Sequence, residues 1–131
     1  MESDQQRLLA IQKSTEINDA YQTLKSSCLR AEYLLQLSGY DIELQKTLQD
    51  TAFLMEQMTL REKITLFTLD DEVEINAFSQ EIEKDVSGIE SSIASAFDLN
   101  DFDKVADCIR KLKFMLKLQG EIVLLEERLF D

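Results

Sequence analysis

The scarcity of residues that end helices is the strongest constraint on this chain. It contains no proline and only three glycines among 131 residues. A chain with so few breakers can form few tight turns, so long helices joined by a small number of loops are its natural solution. No run of alternating apolar and polar residues is bounded by turn signals, so strands are not expected. The sequence predicts an all-α protein that is long enough for one domain with a substantial core.

Apolar periodicity divides the chain into two N-terminal helices followed by three long ones. Ser26 and Ser27 predict a break between the first two helices, and Gly39 fits the left-handed position that ends the second. Three long helices joined by short turns predict an antiparallel up-down-up bundle. The predicted helices are 4–26, 28–38, 47–67, 71–98 and 101–129, with a loop over 39–46. The expected N-cap is Thr47 or Asp50 for the third helix, Asp70 or Asp71 for the fourth and Asn100 for the fifth.

The helix predicted over 47–67 carries apolar residues on two opposite sides. One side holds Phe53, Leu60, Ile64 and Phe67. The other side holds Leu54, Met55 and Met58, with Glu62 beside them. A helix on the outside of a bundle needs only one apolar stripe, so the second stripe predicts either full burial or a partner surface. Methionine favours the partner surface because its flexible thioether suits adaptable binding, whereas the alternative is ordinary packing against the first helices.

The last long helix carries one clear apolar stripe and several apolar residues away from it. Its main stripe comprises Phe102, Val105, Ile109, Leu112, Leu116 and Val123. Phe114, Leu118 and Leu125 lie well off that stripe. The segment 110–117 is also basic, which is most simply a solvated face. The alternative is a small all-helical enzyme that binds an anionic substrate through these cations.

Charge and composition exclude several classes of function. A net charge of −12 argues against nucleic acid, whose phosphates require basic patches, and against anionic membrane surfaces. No apolar run approaches the ~20 residues that span a membrane, and residues 1–7 lack the apolar core of a signal peptide. The absence of histidine removes histidine metal sites and Ser-His or Cys-His catalysis. Cys28 and Cys108 are most simply small buried hydrophobic residues, the alternatives being a disulfide or a reactive thiol.

Four segments together resemble the HscB-type J-protein co-chaperones of iron–sulfur cluster assembly. Residues 14–24, STEINDAYQTL, are similar to the third helix of a J-domain. RAEYLL at 30–35 and DTAFLMEQ at 50–57 follow in the same order, and RKLKF at 110–114 resembles the family's C-terminal helix. The likeness covers nearly the whole chain, and the central run is its most specific part.

The resemblance implies a J-domain, of which residues 1–38 would be a remnant, and a C-terminal three-helix bundle over 39–131. In this family the J-domain stimulates the ATPase of HscA, a DnaK-class chaperone, and the bundle holds the cluster scaffold IscU. It implies a cytoplasmic adaptor that is not an enzyme and has no catalytic, cofactor or metal site, with neither nucleic acid nor membrane as a partner. The alternative is a generic helical interaction module without an iron–sulfur role. By position, the resemblance transfers scaffold binding to Leu54, Met55, Met58, Glu62 and Phe114.

The chain departs from the family pattern at three places. A J-domain acts through a His-Pro-Asp loop, but this chain contains neither histidine nor proline. Most of the J-domain, including that loop, is therefore expected to be missing, and we expect no ATPase stimulation. Thr59 and Leu66 stand where the family has acidic residues, which predicts a weaker acidic component on the scaffold-binding surface.

Loss of the upstream helices predicts an uncovered stripe on the first helix. In a complete J-domain this stripe would pack on the missing second helix. We therefore expect the first helix either to fray or to bury the stripe against another molecule, for example by self-association. The stripe comprises Ile17, Ala20, Tyr21 and Leu24.

Overall fold

The computed structural model describes residues 4–42 and 48–130, and it confirms the all-α prediction. The described residues form four helices, with a 3-10 turn between the second and the third and no strand. The helices are α1 (Asp4–Leu37), α2 (Thr51–Leu66), α3 (Glu72–Asp98) and α4 (Phe102–Phe130), and the 3-10 turn is Leu69–Asp71. The C-terminal bundle of α2, α3 and α4 is therefore preceded by one helix.

The predicted break at residues 26–27 is wrong, because α1 continues through both serines. Leu24 and Cys28 lie on either side of them, one turn apart, and each is only 3% exposed. Packing of these two side chains holds the backbone helical across residues that are only modestly unfavourable in a helix. In addition, the Ser27 hydroxyl donates a 2.6 Å hydrogen bond to Oε2 of Glu90 on α3.

The ends of α1 and α2 follow local rules that could be read from the sequence. Gly39 adopts a φ of 85° after α1, as predicted for the left-handed residue that ends a helix. Asp50 caps α2, since its Oδ1 accepts a 3.1 Å hydrogen bond from the Phe53 N–H. Because Asp50 is the cap, α2 begins at Thr51 rather than at residue 47. The other expected cap, Thr47, lies outside the described residues.

The N-cap residue predicted for α3 is confirmed by position, whereas the one predicted for α4 is wrong. Asn100 is not the N-cap of α4; it takes a φ of 54° beyond the end of α3. The neighbouring Asp101 caps α4 instead, accepting a 3.3 Å hydrogen bond from the Lys104 N–H. Asp71 is the N-cap residue of α3, as predicted, but its side chain makes no capping hydrogen bond to that helix. Its Oδ2 accepts a 2.8 Å hydrogen bond from the Thr68 N–H and closes a capping box around the 3-10 turn.

Helix α4 lies at the centre of the fold, because α1, α2 and α3 all pack against it. The sequence predicted a single main stripe on α4, but the helix is buried over more than half of its circumference. Leu118 and Leu125, predicted to lie off the stripe, are 0% and 2% exposed. The buried residues of α4 are Val105, Ala106, Cys108, Ile109, Leu112, Met115, Leu118, Gln119, Ile122, Leu125 and Glu126.

Helix α2 runs parallel to α4. Near the start of α2, Oδ2 of Asp50 lies 3.0 Å from Nζ of Lys111, which is about one third of the way along α4. About three turns further along, Arg61 Nε lies 3.8 Å from Oε1 of Glu121. Because short turns join α2 to α3 and α3 to α4, the three helices alternate in direction, as predicted for an up-down-up bundle.

Helix α1 runs antiparallel to α4 and packs along it. Tyr40, just after α1, donates a 2.9 Å hydrogen bond to Oδ1 of Asp103 in the first turn of α4. Glu32 forms an ion pair with Lys113 one third of the way along α4. The ring of Tyr21 lies 3.4 Å from where a Cβ would stand on Gly120. A Cβ at position 120 would be in ordinary van der Waals contact with this ring, so the two positions face each other across the α1–α4 interface.

The expectation that the α1 stripe lies uncovered is wrong for its main members. Ile17 is 6% exposed and Leu24 is 3% exposed, while Ala20 and Tyr21 are half-buried. The cover comes from within the chain, since α4 occupies the side of α1 that upstream helices were expected to fill. Burial of this stripe in the monomer removes the reason for self-association through it.

Candidate protein-binding site

The inner face of α2 is held against the core, as its first apolar stripe predicts. Ile64 is 6% exposed, and Phe53, Leu60 and Phe67 are partly buried against the core. The Phe67 ring meets that of Phe78 on α3 edge-on, with centroids 5.6 Å apart. These contacts fix the rotation of α2 about its axis and thereby determine which side chains face solvent.

The outer face of α2 presents the second apolar stripe to solvent. Met55 and Met58 are 63% and 65% exposed, and Glu62 is exposed beside them. Leu54 is half-buried at the edge of this face. The alternative that the two methionines pack against the first helix is therefore wrong. Two large, flexible apolar side chains one turn apart on an outer face are typical of a partner surface rather than a core.

Phe114 on α4 contacts α2 near the start of that helix. It is half-buried, and its ring packs edge-on against Phe53 with a centroid distance of 6.1 Å and an interplanar angle of 78°. Because Phe53 immediately precedes Leu54, the contact brings Phe114 to the end of α2 that carries Leu54. The structure thus brings Phe53 and Phe114, which are 61 positions apart in sequence, into contact at the start of α2.

The start of α2 is anchored by a charged contact with α4. Lys111 Nζ lies 3.0 Å from Asp50 and 5.5 Å from the centroid of the Phe53 ring. The N–H of Phe53 and the hydrogen bond from Lys111 hold the pKa of the Asp50 carboxyl below its ordinary value. The same aspartate therefore caps α2 and ties it to α4, which determines the register that places Phe53 against Phe114.

Gln57 is a buried residue of α2 that the sequence analysis missed. It is 3% exposed, and its Nε2 donates to Sδ of Met115 at 3.3 Å, while its Oε1 has no hydrogen-bond partner. It lines a cleft of about 460 Å³ between α2, α3 and α4. The signal was available, because Gln57 is four residues after Phe53 and three before Leu60, within the inner stripe.

The two positions that depart from the family pattern are uncharged and differ in their surroundings. The Thr59 hydroxyl donates a 3.3 Å hydrogen bond to the carbonyl oxygen of Met55, one turn back on the same helix. Leu66 is 75% exposed at the end of α2. Glu62 is therefore the acidic member of the predicted site residues, and the rest of this set is apolar.

The basic segment of α4 is largely neutralised by ion pairs within the chain. Three of its cations each contact a carboxylate. The pairs are Arg110–Asp107 at 2.7 Å, Lys111–Asp50 at 3.0 Å and Lys113–Glu32. An enzyme that binds an anionic substrate needs cations that are available to that substrate, so this arrangement disfavours the enzymatic alternative.

The cysteines behave as small buried hydrophobic residues, as predicted. Cys28 and Cys108 are both free and buried. Burial raises the pKa of each thiol, and for Cys28 the charge of Glu32 raises it further. A protonated, enclosed thiol is a poor nucleophile, so the structure contradicts the disulfide and disfavours the reactive thiol.

No group of three or more Cys, Asp or Glu side chains is placed to hold a metal ion within residues 4–42 and 48–130. Over the same part of the chain, none of the helices is long and apolar enough to span a membrane. The protein is therefore a helical bundle that leaves an apolar helix face exposed, and such faces typically mark protein interaction sites.

Comparison with known proteins narrows this class to one family. Residues 49–123 match the family model of the HSCB C-terminal oligomerisation domain. The chain is 58% identical to the co-chaperone protein HscB homolog of Psychromonas ingrahamii, with all of the chain and 78% of that relative covered. The HscB homolog of Vibrio vulnificus is 45% identical over 98% of the chain and 77% of its own length. The co-chaperone protein HscB of Proteus mirabilis is 44% identical over 98% and 76%. The chain belongs to the HscB co-chaperone family.

Proposed function

We propose that this protein is an adaptor of iron–sulfur cluster assembly in the cytoplasm, which binds an IscU-type scaffold and presents it to an HscA-type chaperone. Membership of the HscB family supports the co-chaperone role. Residues 39–131 would form the scaffold-binding bundle and residues 1–38 a remnant of the J-domain. In this role the protein performs no chemistry, because it brings two other proteins together.

The exposed methionines of α2 are the observation that carries the proposal. At 63% and 65% exposure, Met55 and Met58 cannot contribute as much to the stability of the monomer as buried residues do. They gain stabilisation only when a partner covers them. Leu54 and Glu62 lie beside them on the same helix, and we assign Phe114 to the same surface, which would give an apolar centre with one carboxylate. This composition fits a hot spot that is completed by a partner protein.

Scaffold binding by this chain is proposed to be separable from stimulation of the chaperone ATPase. The loop through which a J-domain acts requires a histidine and a proline, and this sequence has neither. A steady-state ATPase assay of HscA with IscU tests this point. Addition of this chain should leave the rate unchanged, whereas an HscB relative that carries the loop should raise it. A rise with this chain would contradict the separation.

The binding proposal is tested by titration calorimetry of the chain against IscU. The Leu54→Ala/Met58→Ala double variant should bind at least about tenfold more weakly than the wild type, since truncation of anchor residues typically costs more than ~1 kcal/mol each. Leu29→Ala is the matched control, because Leu29 is 59% exposed but lies on α1. Its affinity should equal that of the wild type. Circular dichroism confirms that all three proteins have the same helical content.

Failure of the wild type to bind would have two distinguishable causes. Thr59→Glu restores an acidic side chain one position after Met58. Binding by this variant alone would mean that the neutral threonine has disabled an otherwise intact scaffold surface. Absence of binding by both proteins would refute the scaffold proposal and favour a helical interaction module with a different partner.

A further inference from the structure

A second group of exposed apolar side chains lies at the turn between α2 and α3. Leu66, Leu69 and Val73 are 75%, 61% and 75% exposed, and all three fall within eight residues. Isolated surface apolar residues are common, but several large ones close together mark an interaction surface. Neither the proposed role of the α2 face nor the fold of the bundle accounts for them.

The turn that carries these residues is held in one conformation. Phe67 points inward and packs against Phe78 at a centroid distance of 5.6 Å. The Thr68 and Asp71 side chains close a capping box around the 3-10 turn. The outward direction of the neighbouring apolar residues is therefore determined before a partner arrives, which reduces the entropy lost on binding.

The turn continues the proposed scaffold face. Met55, Glu62 and Leu66 are spaced by seven and four residues, so they lie along one line on the surface of α2. A stable interface usually engages about 20–30 residues on each side. The five proposed site residues can supply only part of such a footprint. This line of residues ends at Leu66, where α2 ends and the α2–α3 turn begins.

The charges around the turn indicate the chemistry of the surface that would cover it. Glu62, Asp70 and Glu74 are exposed acidic residues on its border. The nearby cation, Lys63, lies with its Nζ 5.6 Å from the centroid of the Phe78 ring. The turn therefore presents an apolar centre within a mainly acidic rim, which complements an apolar patch bordered by lysine or arginine.

We propose that the scaffold-docking face extends across the α2–α3 turn, where Leu66, Leu69 and Val73 act as apolar anchors for a patch that is edged by basic residues on the scaffold. This inference rests on the proposed function, because it names further contacts with the same partner. It also gives Leu66 a positive role, as a contact residue in place of an acidic one.

The test compares two polar variants in titration calorimetry against IscU. Leu69→Ser/Val73→Ser should weaken binding about tenfold, in the range expected for loss of interface anchors. Leu99→Ser is the matched control. Leu99 is 77% exposed, but it lies in the α3–α4 turn, at the opposite end of the bundle from the α2–α3 turn. Its affinity should be unchanged. The affinity of the wild type should also fall as salt is added, because the rim contacts are charged.

Leu66→Glu provides a second and independent variant. If Leu66 is an apolar anchor, introduction of a carboxylate there weakens binding. An unchanged or higher affinity would show that an acid serves this position better, which would overturn the role assigned to Leu66. Because all three residues are exposed, the polar variants should retain the helical content and the unfolding midpoint of the wild type.

The remaining outcomes separate this inference from the function on which it rests. Loss of binding in Leu54→Ala/Met58→Ala, with unchanged binding in Leu69→Ser/Val73→Ser, would overturn the extension and leave the scaffold role intact. No binding by the wild type would overturn both. A third outcome is a wild-type dimer in sedimentation, with a Leu69→Ser/Val73→Ser variant that is monomeric and keeps its scaffold affinity. This result would assign the turn to contact with a second copy of this chain, which also overturns the inference.

Discussion

Two leucines of α4 test whether α2 is docked as the structure shows. Leu118 is 0% exposed and Leu124 is 64% exposed. Leu118 lies between Phe114 and Glu121 along the helix, and both of these residues contact α2. The same substitution on the same helix should therefore have very different effects, because only one of the two side chains fills space between helices.

The expected magnitudes follow from this difference in burial. Leu118→Ala removes buried methyl groups and leaves a cavity, which costs about 2.7–5 kcal/mol of unfolding free energy. Leu124→Ala changes a solvated position and should stay within about 0.5 kcal/mol of the wild type. If the total stability is about 5–15 kcal/mol, as for most single domains, the first substitution removes a large share of it.

Urea unfolding followed by circular dichroism at 222 nm measures both effects. The midpoint of Leu118→Ala should fall while its m-value stays close to that of the wild type. Hydrogen exchange should show that the amides of α2 are less protected in Leu118→Ala than in the wild type. A difference of less than about 1 kcal/mol between the two variants would refute the conclusion that Leu118 is packed between α4 and α2.

Three further predictions concern single positions. Gly88→Ala should raise the unfolding free energy by about 0.5–1 kcal/mol, because a Cβ there meets nothing within 4 Å and alanine favours the helix. Chemical denaturation measures this change, and a destabilised variant would indicate a close helix contact at this position. Gln57→Leu should stabilise the protein by about 1–2 kcal/mol in the same assay, because it removes a buried carbonyl oxygen that lacks a partner. Its scaffold affinity should not change, and a loss of stability would mean that the amide is satisfied after all. The pKa of the Asp50 carboxyl is held below its ordinary value of 3.8. The ionised carboxylate therefore stabilises the fold above pH 3.8, and this stabilisation is lost as the pH falls through the lower pKa of the folded state. Asp50→Asn should therefore be less stable than the wild type at pH 7, and the difference should shrink by pH 3; an equal difference at both pH values would exclude a role for the charge.

The sequence by itself determined the features that depend on local spacing. The scarcity of glycine and proline restricted the chain to helices, and Gly39 and Asp50 marked helix ends through their own backbone and side-chain chemistry. The two faces of α2 were also readable. Residues three and four positions apart lie on the same side of a helix whatever surrounds it, so Met55 and Ile64 were assigned to opposite faces correctly.

The tertiary structure decided the features that depend on which helices are neighbours. Periodicity could not show that α4 contacts helices on three sides, so the burial of Leu118 was missed. Nor could it show that α4 covers Ile17, which changed the interpretation of α1 from an uncovered stripe to part of the core. Phe114 was recognisable as a residue off the main stripe of α4. Only the parallel register of α2 and α4 placed it against Phe53 at the start of α2, because contacts between residues 61 positions apart are not encoded in local spacing.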